Sequence, residues 1–277
     1  MHWRLLRGTR GASTRGKKEM GGPSTTPGMI ATPSGQPLRH SWYRHDCVKM
    51  KWMVPVRIKI CGITRIDDAI AALQAGADFI GLNLYAGPRK LTVQQASAIL
   101  AATDAARMAV VLVDLSSAVG YTAASELATR HGVRIFQLYG DLKNVKCLPM
   151  ADAQYWPVLR IVRRDDLRAV GAWVKSLPIS THAVLLDAFA PQGYGGTGAR
   201  IHASWLAEAR NAGEFSQLPP MILAGGLNPA NIAQAVASVQ PWAVDVSSGV
   251  ENAGQPGIKS PAKIHAFIAA AHDIGGV

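Results

Sequence analysis

From residue 56 onward the chain repeats a two-part pattern. A short apolar run is followed by a glycine or polar break, and then by a longer stretch with apolar positions at helical spacing. Strand-like runs fall at 56–60, 79–84, 108–113, 134–138, 156–162, 183–187, 221–224 and 243–246. Helical patterns occupy 67–75, 93–102, 120–131, 166–177, 201–212, 231–239 and, after the last strand, 261–271. Thr92 is a good N-cap for the second helix, and Gly76-Ala77-Asp78 is a turn between the first helix and second strand. The link at 141–148 carries the weakest helical signal of the series. Eight strands alternating with helices predict parallel pairing, and their number and total length predict a single closed (β/α)8 TIM barrel over 53–277. A doubly wound open sheet is the structural alternative.

Residues 1–52 break that pattern. They are rich in Gly, Ser, Thr, Pro and Arg without apolar periodicity, which predicts a disordered basic N-terminal extension. It reads as a targeting segment, as a basic arm for an acidic partner, or as the product of a start codon placed too early, with the true start at Met50 or Met53. The early start is favoured, because Met53 lies three residues ahead of the first strand. His40, His45, Asp46 and Cys47 cluster here, but their spacing fits no standard zinc pattern.

Charge changes the picture once it is divided along the chain. The formal charge is +11, yet residues 1–55 hold ten Lys and Arg against Glu19 and Asp46, a balance of +8. The remaining residues carry only +3, so the folded body is near neutral and is not expected to bind nucleic acid. A composition of 48% hydrophobic and 17% charged residues is that of a globular protein, and no uncharged apolar run is long enough to span a membrane. Three widely spaced cysteines, Cys47, Cys61 and Cys147, make no disulfide framework and suit a reducing, cytoplasmic setting.

The candidate chemistry begins on the first strand. Alternation in Arg57-Ile58-Lys59-Ile60-Cys61 puts Ile58 and Ile60 on one face, with Lys59 and Cys61 on the other. A buried Cys is usually a small apolar residue, but a neighbouring cation favours its thiolate, so Lys59 is the expected activator. In such barrels the active site lies at the C-terminal ends of the strands. The residues found there include Cys61, Arg89, Gln137, Asp187, the loop 193–198, Gly225-Gly226 and Ser247-Ser248-Gly249. Glycine loops after strands seven and eight, Leu223-Ala224-Gly225-Gly226-Leu227-Asn228-Pro229 and Asp245-Val246-Ser247-Ser248-Gly249-Val250-Glu251, stand where this fold commonly holds a phosphate. Gly193-Tyr194-Gly195-Gly196-Thr197-Gly198 formally matches G-x-G-x-x-G. It follows no strand directly and has no acidic partner on the next one, so a lid explains it better than a dinucleotide site. Asp187 ends an apolar run, which equips it either to donate a proton or to pair with a cation. Arg89 offers a planar fork for a carboxylate, or simply faces solvent.

Taken in order, Lys59-Ile60-Cys61-Gly62-Ile63-Thr64, Gly76-Ala77-Asp78-Phe79-Ile80-Gly81, Pro88-Arg89, Gln137-Leu138, Leu185-Leu186-Asp187, Gly195-Gly196-Thr197-Gly198 and the two late glycine loops resemble the phosphoribosylanthranilate isomerase family of tryptophan biosynthesis, over residues 55–272. The resemblance implies that Cys61 is the general base, Asp187 the general acid and Arg89 the contact for the anthranilate carboxylate. It also implies that Gly225, Gly226, Asn228, Asp245, Ser247, Ser248 and Gly249 form the phosphate side, with Lys59, Gln137, Gly195 and Gly196 completing the substrate site. The implied reaction is an Amadori rearrangement of N-(5-phosphoribosyl)anthranilate, with no cofactor and no metal. The implied partner is this phosphorylated small molecule, with neither nucleic acid nor membrane; a monomer and a homodimer are both compatible with the sequence. The chain departs from the family pattern at Tyr139, where His is common, and after the lid, where the usual Lys and Asp-Trp are replaced by Ala199 and His202-Ala203. The loop before Arg89 is also shorter than in many members. Rival readings fit less well. A nucleotide decarboxylase wants a Lys two residues after a strand-end Asp, and Phe189 stands there. A metal-dependent epimerase wants inward His and Asp ligands on several strands. A nucleic-acid binder would have to act through the basic extension.

Overall fold

The computed structural model describes residues 55–188 and 201–273. The basic extension, its His40, His45, Asp46 and Cys47 group, and the glycine lid with Gly195, Gly196 and Ala199 lie outside the described residues.

The alternating pattern folds into eight strands: β1 (Arg57–Ile60), β2 (Phe79–Asn83), β3 (Ala109–Val113), β4 (Ile135–Leu138), β5 (Gln154–Ile161), β6 (Val184–Ala188), β7 (Met221–Leu223) and β8 (Ala243–Val246). They pair in chain order, all parallel, and β8 closes on β1, which excludes the open doubly wound sheet. Seven α-helices surround the barrel among the described residues: α1 (Ile66–Gln74), α2 (Val93–Thr103), α3 (Ala118–His131), α4 (Arg164–Ser176), α5 (Ala203–Asn211), α6 (Ile232–Val239) and α7 (Pro261–His272). Thr92 caps α2 in a reciprocal box with Gln95. α7 starts on Pro261 behind a Ser260 cap, as a first-turn proline allows.

The weak segment at 141–148 forms no helix. Asp141 turns its carboxylate back onto the Lys143 amide (3.0 Å) and the Asn144 side chain (2.7 Å), a local alternative to helical bonding. The chain then crosses directly into β5, which starts two residues earlier than its apolar run. β6 likewise continues one residue past Asp187, to Ala188.

Strand alternation sorts the side chains into two cores. Ile58 and Ile60, Val111 and Val113, Phe136 and Leu138, Val184 and Leu186, and Val244 and Val246 face outward and pack under the helices. Val110, Leu112, Ile135, Trp156, Leu185 and Ile222 fill the barrel interior, joined by Cys61 and Ala224 toward its mouth. Phe79, Trp156 and Trp242 meet inside the barrel, with ring centroids 5.1–5.9 Å apart. The inward positions at the C-terminal ends of the strands are where the apolar filling gives way to polar groups. Among the described residues no helix is long and apolar enough to cross a membrane.

Candidate active site

The thiol is held where the first and last strands meet. Lys59 on β1 lies abreast of Asp245 on β8, and its Nζ donates to Asp245 Oδ1 at 2.8 Å. The Cys61 amide donates to Val246 O at 2.7 Å, which fixes the residue at the strand end. Opposite it, Gly81 on β2 has no room for a side chain, since a Cβ there would lie 2.8 Å from Cys61 Sγ. Lys59 is wholly buried beneath the cleft and touches both Asp245 and the thiol. Burial alone would lower its pKa, but Asp245 and Cys61 outweigh that and hold it above the ordinary lysine value.

The thiol itself differs from expectation. Burial pushes Cys61 up from its ordinary value, the Asp245 carboxylate pushes in the same direction, and the Lys59 and Lys259 ammonium groups oppose them without prevailing. Asp245 neutralises Lys59 at contact distance, so the cation that the strand pattern offers as an activator is largely consumed. In the resting site Cys61 is a thiol.

Asp187 reaches the same cleft from β6. Burial raises its carboxyl from 3.8 to about 6, and the nearby Asp245 carboxylate adds to the rise; Arg160, abreast of it on β5, the Ala188 amide and Lys59 pull the other way. Some protonated Asp187 is therefore present near neutrality, as a proton donor requires.

The two late loops converge beside these groups. Gly225 and Gly226 both take positive φ (96° and 60°), and a Cβ on Gly225 would lie 2.7 Å from that of Ala188. Asn231 receives the Asn228 amide on its oxygen and donates its own amide to Gly226 O, which leaves the Gly225 and Gly226 N–H groups without a partner among the described residues. A Cβ on Gly249 would run into the Leu227 carbonyl, so the loop after β8 packs tightly against the loop after β7. Open amides at the mouth of a barrel are suited to an anion.

Arg89 is buried rather than solvent-facing. Its Nε and Nη2 donate to the two carboxylate oxygens of Glu251, both at 2.6 Å. Glu251 Oε1 also accepts from Lys259 Nζ (2.9 Å) and the Gly257 amide (3.0 Å). Burial alone would raise the Glu251 carboxyl, but these donors hold it down at about 2. Lys259 donates as well to Ser247 O at 3.1 Å, so the network reaches the loop after β8.

Tyr139, at the departure from the family pattern, stacks on Tyr85 (centroids 5.0 Å apart, planes at 11°). Its oxygen accepts from Gln137 Nε2 at 2.9 Å. Burial and then the Asp187, Cys61 and Asp245 charges push its phenol well up, so it stays a neutral hydroxyl.

One cleft at the C-terminal end of the barrel is thus lined by Cys61, Arg89, Asp187, Gly225, Gly226, Asp245, Ser247, Ser248 and Gly249. Three predicted residues sit elsewhere. Lys59 and Gln137 are fully buried behind the lining, and the Asn228 side chain accepts from the Ala230 amide (2.9 Å) in the turn leading to α6. Sequence reasoning included Glu251 at the end of the last loop motif without giving it a role, and did not single out Lys259 or Tyr85. Glu251 stands in the glycine-containing run after β8, but its partner Arg89 is 162 positions away, and no local pattern announces such a pair. Among the described residues there is no group of three or more His, Cys, Asp or Glu placed to hold a metal.

Comparison with known proteins agrees with this geometry. The family model of N-(5'-phosphoribosyl)anthranilate isomerase matches residues 58–270. The enzyme so named from Pseudomonas fluorescens (strain Pf0-1) is 40% identical over 217 residues, covering 78% of this chain and 98% of the relative. That from Geobacter metallireducens is 38% identical, over 77% and 97% respectively. Among solved structures, TrpF from Jonesia denitrificans is 33% identical with a TM-score of 0.57, covering 80% of this chain and 98% of that one. Phosphoribosyl anthranilate isomerase from Thermotoga maritima is 26% identical with a TM-score of 0.59, over 78% and 98%. With a family model spanning nearly all of the barrel and relatives covered almost end to end, the chain belongs to the N-(5'-phosphoribosyl)anthranilate isomerase family.

Proposed function

We propose that Cys61 and Asp187 are the base and acid by which this chain isomerises N-(5-phosphoribosyl)anthranilate to 1-(2-carboxyphenylamino)-1-deoxyribulose 5-phosphate, a step of tryptophan biosynthesis. The observation that carries the residue roles is the placement of a thiol and a raised-pKa carboxyl in one cleft, beside two converging glycine loops. Asp187 gives its proton to the furanose ring oxygen, and the ring C–O bond breaks to leave an open-chain Schiff base. Cys61 takes the proton from C2′, whose electron pair moves to form the enolamine. Tautomerisation of the enolamine gives the ketose. One proton leaves and one enters, and no electrons pass to any other molecule.

The proton inventory gives this reading a measurable signature. With Asp187 near 6 and the thiol above its ordinary value, the pair carries one proton across the neutral range. The reactive arrangement, with the proton on Asp187 and the thiolate on Cys61, is the minor one of the two. The acid limb of kcat/KM then reports Asp187 and the alkaline limb reports Cys61.

Binding energy comes from groups remote from the reacting carbons. The open amides of Gly225 and Gly226, with the Ser247–Gly249 loop, suit the phosphate, and the Arg89 fork suits the anthranilate carboxylate. Lys59, Gln137 and Asn228 act from behind by holding Asp245, Tyr139 and the α6 turn. A base that must remain a free thiol fits the reducing environment of the cytoplasm. The test is turnover of freshly prepared phosphoribosylanthranilate by wild type, Cys61→Ala and Asp187→Asn. Each variant should lose roughly 10²–10⁴-fold in kcat while binding inorganic phosphate as before. Near-full activity in either one removes that residue from its role.

A further inference from the structure

The proposed substrate contact at Arg89 depends on how its guanidinium is aimed, and its neighbours in the fold aim it. A free arginine on the loop after β2 would have several rotamers to choose from. Arg89 instead lies across Gly62, which takes φ of 70° and whose missing side chain makes room for the Arg89 Cδ. Its Nε edge is fully taken by both oxygens of Glu251, each at 2.6 Å. A bidentate pair fixes the guanidinium plane, and with one edge engaged only the Nη1 side remains to meet a ligand.

Glu251 cannot itself turn away. It is 5% exposed, and its Oε1 is also held by Lys259 Nζ and the Gly257 amide. Lys263 Nζ donates to its backbone carbonyl at 2.7 Å, and the Lys259 amide is pinned to Asp68 Oδ2 at 3.1 Å. Two buried cations, Arg89 and Lys259, share this one carboxylate at the edge of the cleft. Such an arrangement is more readily accommodated when a second anion lies close by.

We propose that Glu251 is a positioning residue for substrate recognition. It holds the second edge of the Arg89 fork toward the cleft, so that a carboxylate on the aromatic amine is recognised in one orientation. Lys259 bonds Glu251 and Ser247 O together, so the carboxylate contact and the loop after β8 are set by one network. This rests on the reading of Arg89 given above, and the experiment separates the two.

The measurement is affinity, by competitive inhibition and calorimetry, for two reduced product analogues. One carries the ring carboxylate and the other is its phenylamino counterpart without it; inorganic phosphate serves as the control ligand. Wild type should prefer the carboxylated analogue by roughly 10- to 100-fold, the usual range for a charge-assisted hydrogen bond. Glu251→Gln should lose most of that preference while its phosphate affinity falls by much less, because Lys259 keeps its bond to Ser247 O, and in an Arg89→Met background the same change should add nothing more to the loss of preference. Retained preference in Glu251→Gln, or a loss that adds to that of Arg89→Met, overturns the inference and leaves Arg89 as the contact. No preference in the wild type overturns the reading of Arg89 and the inference with it. Should Glu251→Gln fail to fold, Arg89→Lys carries the test, because it keeps the charge without the fork. It should lose the preference as completely as Arg89→Met, and a Lys that retains it overturns the inference.

Discussion

Asp187→Asn should make the barrel more stable while disabling it, and the structure gives the size of the gain. The native carboxyl sits at about 6 against 3.8 for the unperturbed group, chiefly through burial. About two units at 1.36 kcal/mol each correspond to roughly 3 kcal/mol that the folded state forfeits by holding Asp187 ionised. The sign follows from the direction of the shift. Below about pH 4 both folded and unfolded chains carry the proton and no penalty exists. The penalty grows as pH rises through about 6 and is constant above it. Asn cannot ionise, can still accept the Ala188 amide, and avoids the penalty. Urea titration at pH 4 and pH 8 would read this directly, together with thermal melts. The variant should match wild type at pH 4 and exceed it by up to about 3 kcal/mol at pH 8. For a barrel of this size that is about 6–12 °C in Tm. Equal stability at pH 8 would refute the argument that burial sets the Asp187 proton affinity. So would a gain that does not vary with pH.

Two further outcomes follow from the thiol's surroundings. Lys59→Met removes the cation between Asp245 and Cys61, so both Asp187 and Cys61 should hold protons more tightly. The acid limb of kcat/KM should move upward, Asp245→Asn should move it down, and each single variant should be about 3–5 kcal/mol less stable, with the double variant recovering much of that. An unchanged pH profile in Lys59→Met would return Lys59 to a purely structural part. Gly81→Ala puts a methyl 2.8 Å from Cys61 Sγ. It should lower kcat at least tenfold with phosphate binding intact, and full activity would show that the thiol's position is not critical.

The barrel was legible because its strands are buried on both sides and therefore read as unbroken apolar runs, as Ala109–Val113 does. Edges were less so. β5 begins on the exposed Gln154 and contains Pro157, neither of which looks like a strand, yet it pairs with β4 from Gln154 on. Asp141 outcompeted a helix through side-chain bonds that propensity alone does not weigh. Cys61, Asp187 and the late glycine loops could be named because a barrel's strand ends share one rim, so position in the repeat is position in the site. What stayed hidden were charge pairs that join distant segments. Lys59 was visible as a cation beside a thiol, but its neutralisation by Asp245 depends on β1 and β8 lying in register, which periodicity does not specify. For Arg89 the sequence left a carboxylate clamp and solvent exposure both open for the same reason, since the Glu251 that pairs with it comes from the other end of the chain.

The seam between β1 and β8 also has a consequence for how the protein is made. Lys59 and Asp245 are separated by 186 positions, and ribosomes add residues at about 5–20 per second, so roughly 10–40 s pass between the emergence of the one and the other. Throughout that interval Lys59 and Cys61 lack the Asp245 carboxylate and the closed barrel that surrounds them. The eighth strand supplies the ion-pair partner, closes the barrel on β1 and carries the Ser247–Gly249 loop. A truncated product ending before β8 thus lacks both its closing strand and the Ser247–Gly249 loop. Such a chain can neither form the Lys59–Asp245 ion pair nor close the barrel, so a product truncated before β8 is expected to show no isomerase turnover.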